Sequence, residues 1–86
     1  MAKQYVTKRK NGDTFYFKDA AKQILHRTDG PAVEWGNGHK AWYLNGAKHR
    51  LDGPAYEYAD GVKSWYVNGI SIFTIHRTGE MKYKME

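Results

Sequence analysis

The chain has 86 residues, no cysteine, and 14 Lys and Arg against nine Asp and Glu, a net charge of +5. That length allows one domain with a thin core. The lack of cysteine excludes a disulfide framework and a thiolate metal site, and no window approaches the roughly 20 apolar residues of a membrane span.

In chain order, residues 4–10 and 14–18 read as strands around the turn Asn11-Gly12. Segment 19–25 suits a short helical turn with Asp19 as its N-cap. Strands at 32–35 and 40–44 flank Asn37-Gly38, and strands at 55–58 and 63–67 flank Asp60-Gly61. Further strands at 70–75 and 80–84 complete the chain. Glycine supplies the positive φ that such turns need. Asn45-Gly46 and Asn68-Gly69 then close the aromatic strands, and the Asp-Gly-Pro steps at 29–31 and 52–54 are turns whose proline opens the next strand. Alternation puts Val33 with Trp35, Trp42 with Leu44 and Trp65 with Val67; opposite the last two pairs stand Ala41 with Tyr43 and Ser64 with Tyr66. The Trp face is expected to form the core, and the Tyr face to stay partly open.

One unit returns at a fixed offset. Leu25-His26-Arg27-Thr28-Asp29-Gly30-Pro31-Ala32 recurs 23 residues later as Lys48-His49-Arg50-Leu51-Asp52-Gly53-Pro54-Ala55. At the same offset Trp42-Tyr43-Leu44-Asn45-Gly46 becomes Trp65-Tyr66-Val67-Asn68-Gly69. The ends read as worn copies, as terminal units of an array often are. The single domain, 1–86, therefore divides into a basic degenerate unit (1–27), central units (28–50 and 51–73) and a C-terminal partial unit (74–86). The expected fold is all-β, a twisted antiparallel meander of repeated hairpins with six to eight short strands.

The unit His-Arg-x-Asp-Gly-Pro-Ala, then Gly, then Trp-Tyr-x-Asn-Gly, resembles MORN-like repeats of phage and viral type over residues 25–69. The resemblance implies the meander and a scaffold with no enzymatic activity of its own, used for lipid or protein partners. In size, charge and style the chain also resembles small phage early proteins that bind RNA and inhibit a host toxin endoribonuclease. That second resemblance implies an anti-defence role in the host cytoplasm, and no motif carries it residue by residue.

Charge locates a candidate site. Residues 1–27 hold seven cations and two carboxylates (7 − 2 = +5), whereas residues 28–86 hold seven of each. A polyanionic partner, RNA first, is therefore expected at Lys3, Lys8, Arg9, Lys10, Lys18 and Lys22, with Tyr16 stacking on a base. The plainer account is a solvated hairpin whose charges blunt an edge strand. A second candidate is a protein interface built from Tyr43, Tyr56, Tyr58 and Tyr66, for a host toxin or another host protein. Cross-strand packing is the plainer account of those rings. The open edges of a meander also invite pairing into a homodimer.

The pairs His26-Arg27, His49-Arg50 and His76-Arg77 carry the residue types of acid–base work on RNA. Because they recur with the fold repeat, a local Arg–Asp pair that fixes the turn is the simpler account. No catalytic residue, metal ligand or cofactor is expected. The first residues, Met1-Ala2-Lys3-Gln4-Tyr5, lack the apolar core of a secretory signal, so a cytoplasmic location is expected.

Overall fold

The computed structural model describes residues 4–76 and the strand Met81–Tyr83. Lys3 and the worn loop copy at 77–80 lie outside the described residues. The strands are β1 (Tyr5–Lys8), β2 (Thr14–Phe17), β3 (Val33–Glu34), β4 (Lys40–Ala41), β5 (Tyr43–Leu44), β6 (Ala47–Lys48), β7 (Tyr56–Glu57), β8 (Lys63–Val67), β9 (Ile70–Ile75) and β10 (Met81–Tyr83). Eight form one sheet in the order β1-β2-β3-β4-β7-β8-β9-β10, and β5-β6 form a separate ribbon. Every pairing is antiparallel. The chain is thus an all-β meander. The expected strand 40–44 divides at Trp42, and the short β6 was not anticipated.

Two kinds of turn build it. In three hairpins the N–H of Arg9, Trp35 or Tyr58 donates to the carbonyl of Asp13, His39 or Val62 at 2.8, 2.9 and 2.9 Å. Gly12, Gly38 and Gly61 take φ of +97°, +99° and +99° there. This is the three-residue loop that ends on a left-handed glycine. At Asn45-Gly46 both residues are left-handed (+53° and +85°), as at Asn68-Gly69 (+52° and +80°). Those are two-residue turns of the type whose twist matches paired strands. The segment after β2 is a turn and not a helix. Asp19 is therefore no helix N-cap; its carboxylate accepts from the Gln23 and Ile24 N–H groups, four and five residues on, at 3.1 and 2.9 Å and closes the turn. Lys22, at φ +57°, then turns the backbone out of the helical region.

The repeated loop is held by its own side chains. Arg27 Nε donates to Asp29 at 2.9 Å, and its Nη1 to the Pro31 carbonyl at 3.1 Å and to Glu34 at 3.5 Å. Arg50 repeats the set with Asp52 (3.0 Å), the Pro54 carbonyl (3.0 Å) and Glu57 (3.3 Å). Each guanidinium also lies 3.9 Å from a ring centre, of Tyr16 for Arg27 and of Trp42 for Arg50. A Cβ at Gly53 would stand 2.9 Å from Arg50 Cζ, which is why the loop reads Asp-Gly-Pro.

The neighbouring histidine does a different job. His26 Nδ1 accepts the Asn45 N–H at 2.9 Å, and His49 Nδ1 accepts the Asn68 N–H at 3.0 Å. Each imidazole therefore fastens the next left-handed turn through an unprotonated Nδ1. His49→Phe keeps an aromatic ring but leaves that N–H without its acceptor. A loss of about 1 kcal/mol is expected, read as a melting-temperature drop of about 4–8 °C by circular dichroism. An unchanged melting temperature would mean that water replaces the imidazole.

The core is not confined to the Trp face: Ala32 and Ala55, fully buried, alternate with Val33 and Tyr56 and so lie on the Trp42 side, but the Tyr-bearing side holds buried residues as well, among them Val33, which shares its face with Trp35. Val33, Ala41, Tyr56, Ser64 and Thr74 stand opposite one another in successive strands and so share a side. On that Tyr-bearing side Val33 and Ala41 are fully buried, and Ser64, nearly so, meets the Thr74 hydroxyl at 3.0 Å. Trp42 and Trp65 are only half-buried, one under Arg50 and the other stacked on Phe73 at 4.6 Å. In a sheet this thin only small side chains can be covered completely. The large rings act as the cover.

Candidate nucleic-acid interface

The first hairpin carries three adjacent cations at its tip. Lys8, Arg9 and Lys10 are all exposed, and among the described residues none forms an ion pair. Arg9 lies 5.3 Å from the centre of the Phe15 ring, which keeps its guanidinium near an aromatic surface. The tip itself is fixed. Asp13 Oδ1 accepts the Gly36 N–H at 2.7 Å, joining it to the tip of the β3-β4 hairpin. His39 Nδ1 does the same for the Ala59 N–H at 2.8 Å, one hairpin further on. In the first two of these hairpins the residue after the turn glycine thus reaches the neighbouring tip.

The other expected basic residues are placed elsewhere. Lys18 Nζ meets Asn45 Oδ1 at 2.6 Å, which ties β2 to the turn between β5 and β6. Lys22 Nζ donates to the Val6 carbonyl at 3.3 Å. Tyr16 bonds away from β1, to the Ala32 carbonyl and the His26 N–H, so Val6 opposite it turns its own polar groups to the open edge. Lys22 thereby blunts the edge that a homodimer would use. Tyr16 is half-buried with one ring face under Arg27, leaving at most one face for a base.

The four tyrosines do come together. Tyr56 lies 4.4 Å from Tyr58, and Lys48 Nζ sits 4.9 Å from the Tyr56 ring centre and 4.8 Å from that of Tyr66. Burial raises the Tyr56 hydroxyl above its ordinary pKa, and Tyr58, Tyr43 and Tyr66 add to the shift. Burial, with Tyr66 beside it, raises Tyr43 likewise. Two further members escaped the sequence reading. Trp35 stacks on Tyr56 at 5.5 Å, and His39 meets Tyr58 edge-on at 5.3 Å. Their place beside Tyr56 and Tyr58 follows from the β4-β7 register, Lys40 opposite Glu57 and Ala41 opposite Tyr56, which no tight turn closes, so no local signal in the sequence marks them.

A cleft of about 590 Å³ opens between the two repeated loops, floored by Trp42 and Leu44 and rimmed by Asp29, Leu51 and Asp52. Its two guanidiniums are already shared among Asp29, Glu34, Asp52 and Glu57. The hydrogen bond from Arg27 holds the Asp29 carboxyl below the usual carboxylate range. The cleft therefore offers a phosphate no unpaired cation, unlike the hairpin tip. No helix among the described residues is long and apolar enough to cross a membrane. No protein-family model, curated protein or solved structure matches the chain.

Proposed function

We propose that this chain is a non-enzymatic RNA-binding protein that contacts single-stranded RNA with the tip of its first hairpin. The observation that carries the reading is the division of cations. Arg27 and Arg50 are bonded to four carboxylates, while Lys8, Arg9 and Lys10 are exposed and unpaired. Cations left free on a rigid tip are the ones able to replace counterions on a phosphate backbone. Lys18 and Lys22 support the tip's surroundings through their bonds to Asn45 and Val6. The bonding of His26 and His49 to turn N–H groups favours a structural over a catalytic role for the His-Arg pairs. The resemblance to phage proteins extends the reading. In the host cytoplasm the protein would inhibit an RNA-targeting defence or a toxin endoribonuclease by occupying RNA.

Fluorescence anisotropy with a labelled single-stranded RNA tests this directly. If three phosphates are neutralised, affinity is expected to fall about 20-fold between about 50 mM and about 200 mM salt, from a slope of about 0.7 per phosphate. The variant Lys8→Glu/Arg9→Glu/Lys10→Glu, matched in melting temperature, is expected to lose binding. A wild type that ignores RNA but sediments with anionic vesicles would sink the proposal.

The gathered tyrosines favour a second reading, a host-protein interface on the Tyr face. Tyr58 is 38% exposed at its rim. In that case Tyr58→Ala would abolish inhibition of the host enzyme while RNA binding stayed intact.

A further inference from the structure

Register places two more lysines beside the proposed site. Lys8 stands opposite Thr14, Thr14 opposite Glu34, Glu34 opposite Lys40, Lys40 opposite Glu57 and Glu57 opposite Lys63. Residues directly opposite in antiparallel strands point to the same side. Lys8, Lys40 and Lys63 therefore share one face along one row, next to the connected hairpin tips. All three are exposed, and none is ion-paired among the described residues. Arg27 and Arg50 bond the two glutamates between them at 3.5 and 3.3 Å, but each also bonds an aspartate, so in charge the glutamates still offset two of the three lysines. The row Lys8, Glu34, Lys40, Glu57, Lys63 keeps a net charge of 3 − 2 = +1, with its ammonium groups outside any ion pair among the described residues.

We infer that the RNA site is a track that runs from the first hairpin along this row, with Lys40 and Lys63 as further phosphate-binding residues. The inference rests on the RNA reading above and extends it across the sheet. Five strand spacings separate β1 from β8 in the sheet order. At about 4.8 Å each they span about 24 Å, enough for about seven nucleotides stacked at about 3.4 Å. The track explains how so small a domain can grip a strand without a pocket. Lys8, Lys40 and Lys63, three and two strands apart, meet phosphates about four and about three nucleotides apart at these spacings, and the backbone contacts carry no sequence information.

The test compares oligouridylates of about four and about eight nucleotides, lengths chosen from the stacked rise of about 3.4 Å per nucleotide. Wild type is expected to bind the longer one more tightly. Lys40→Gln/Lys63→Gln removes the charges without setting a new carboxylate beside Glu57. It is expected to erase the length preference and to lower the logarithmic salt slope by about 1.4, at about 0.7 per phosphate. Lys40→Arg/Lys63→Arg is expected to restore both. Acetylation footprinting of the unmodified protein gives an independent reading, with RNA expected to shield Lys40 and Lys63. If the Gln pair binds like wild type and footprinting shows no shielding, the track is wrong while the hairpin site stands. If wild type binds neither oligonucleotide, the RNA reading and the track fall together.

Discussion

Arg50→Lys is expected to lower the melting temperature by roughly 10 °C although it leaves the net charge unchanged, because about 2 kcal/mol is lost from a domain in which each kcal/mol is worth about 4–8 °C. The guanidinium performs four tasks in one plane. It bonds Asp52, the Pro54 carbonyl and Glu57, and its Cζ lies over the Trp42 ring, 3.9 Å from the ring centre. A lysine ammonium is a point donor and can satisfy one or two of these, with no flat surface for the ring. The Pro54 carbonyl matters most, since proline is buried and its own nitrogen cannot donate to the neighbouring strand. Arg27→Lys is expected to cost less, because its ring partner is Tyr16 and tryptophan is the stronger cation–π acceptor. Thermal melts followed by tryptophan fluorescence compare the two. Equal melting temperatures for wild type and Arg50→Lys would show that the loop is held by its backbone alone.

The same residues show what a reader of the sequence could and could not see. The repeat and the Gly-containing turns announced an all-β meander, because left-handed glycine and an Asn-Gly pair are local signals that need no tertiary knowledge. The Arg–Asp pairing was also legible, two residues apart in both copies and met at 2.9 and 3.0 Å. What was hidden depends on register. Alternation along one strand says that Trp42 and Ala41 face opposite ways, but not which side will be covered. The answer came from the register, which lines up Val33, Ala41 and Ser64 on one side, where all three are buried. The bonds that Lys18 and Lys22 make were hidden because the sequence shows charge without its neighbours. Asn45 and Val6, their partners, lie 27 and 16 residues away. Lys40 and Lys63 were overlooked for the converse reason. A charge sum hides them behind Glu34 and Glu57, and only the strand register shows that they line up with Lys8 on one face while those glutamates bond arginines.

Gly36→Ala is expected to be the most damaging glycine-to-alanine change among the described residues, costing about 3 kcal/mol. A Cβ there would stand 2.0 Å from the Asn11 carbonyl oxygen, a backbone atom with nowhere to go while Asp13 holds the Gly36 N–H at 2.7 Å. Yet the position 23 residues on, Ala59, carries that methyl in the native chain. His39 takes the place of Asp13 in the next hairpin and holds the Ala59 N–H at 2.8 Å through an imidazole. Nδ1 and Oδ1 stand equally many bonds from the backbone, so the reach of the acceptor does not separate the two joints. The tips themselves are spaced differently: a Cβ at Gly12 would stand 3.2 Å from the Gly36 Cα, whereas one at Gly38 would stand 4.0 Å from the Ala59 Cα. Removing the carboxylate that draws the first pair of tips together should let them separate. Asp13→Ala/Gly36→Ala is expected to recover at least 1 kcal/mol of the loss, a coupling of the size seen between residues in contact. Denaturant unfolding of the two single variants and the double variant measures it. Additivity within about 0.5 kcal/mol would mean that the tips are spaced by the strands beneath them. A recovered double variant would instead show that one side chain sets how closely the basic tip is bound to the rest of the row.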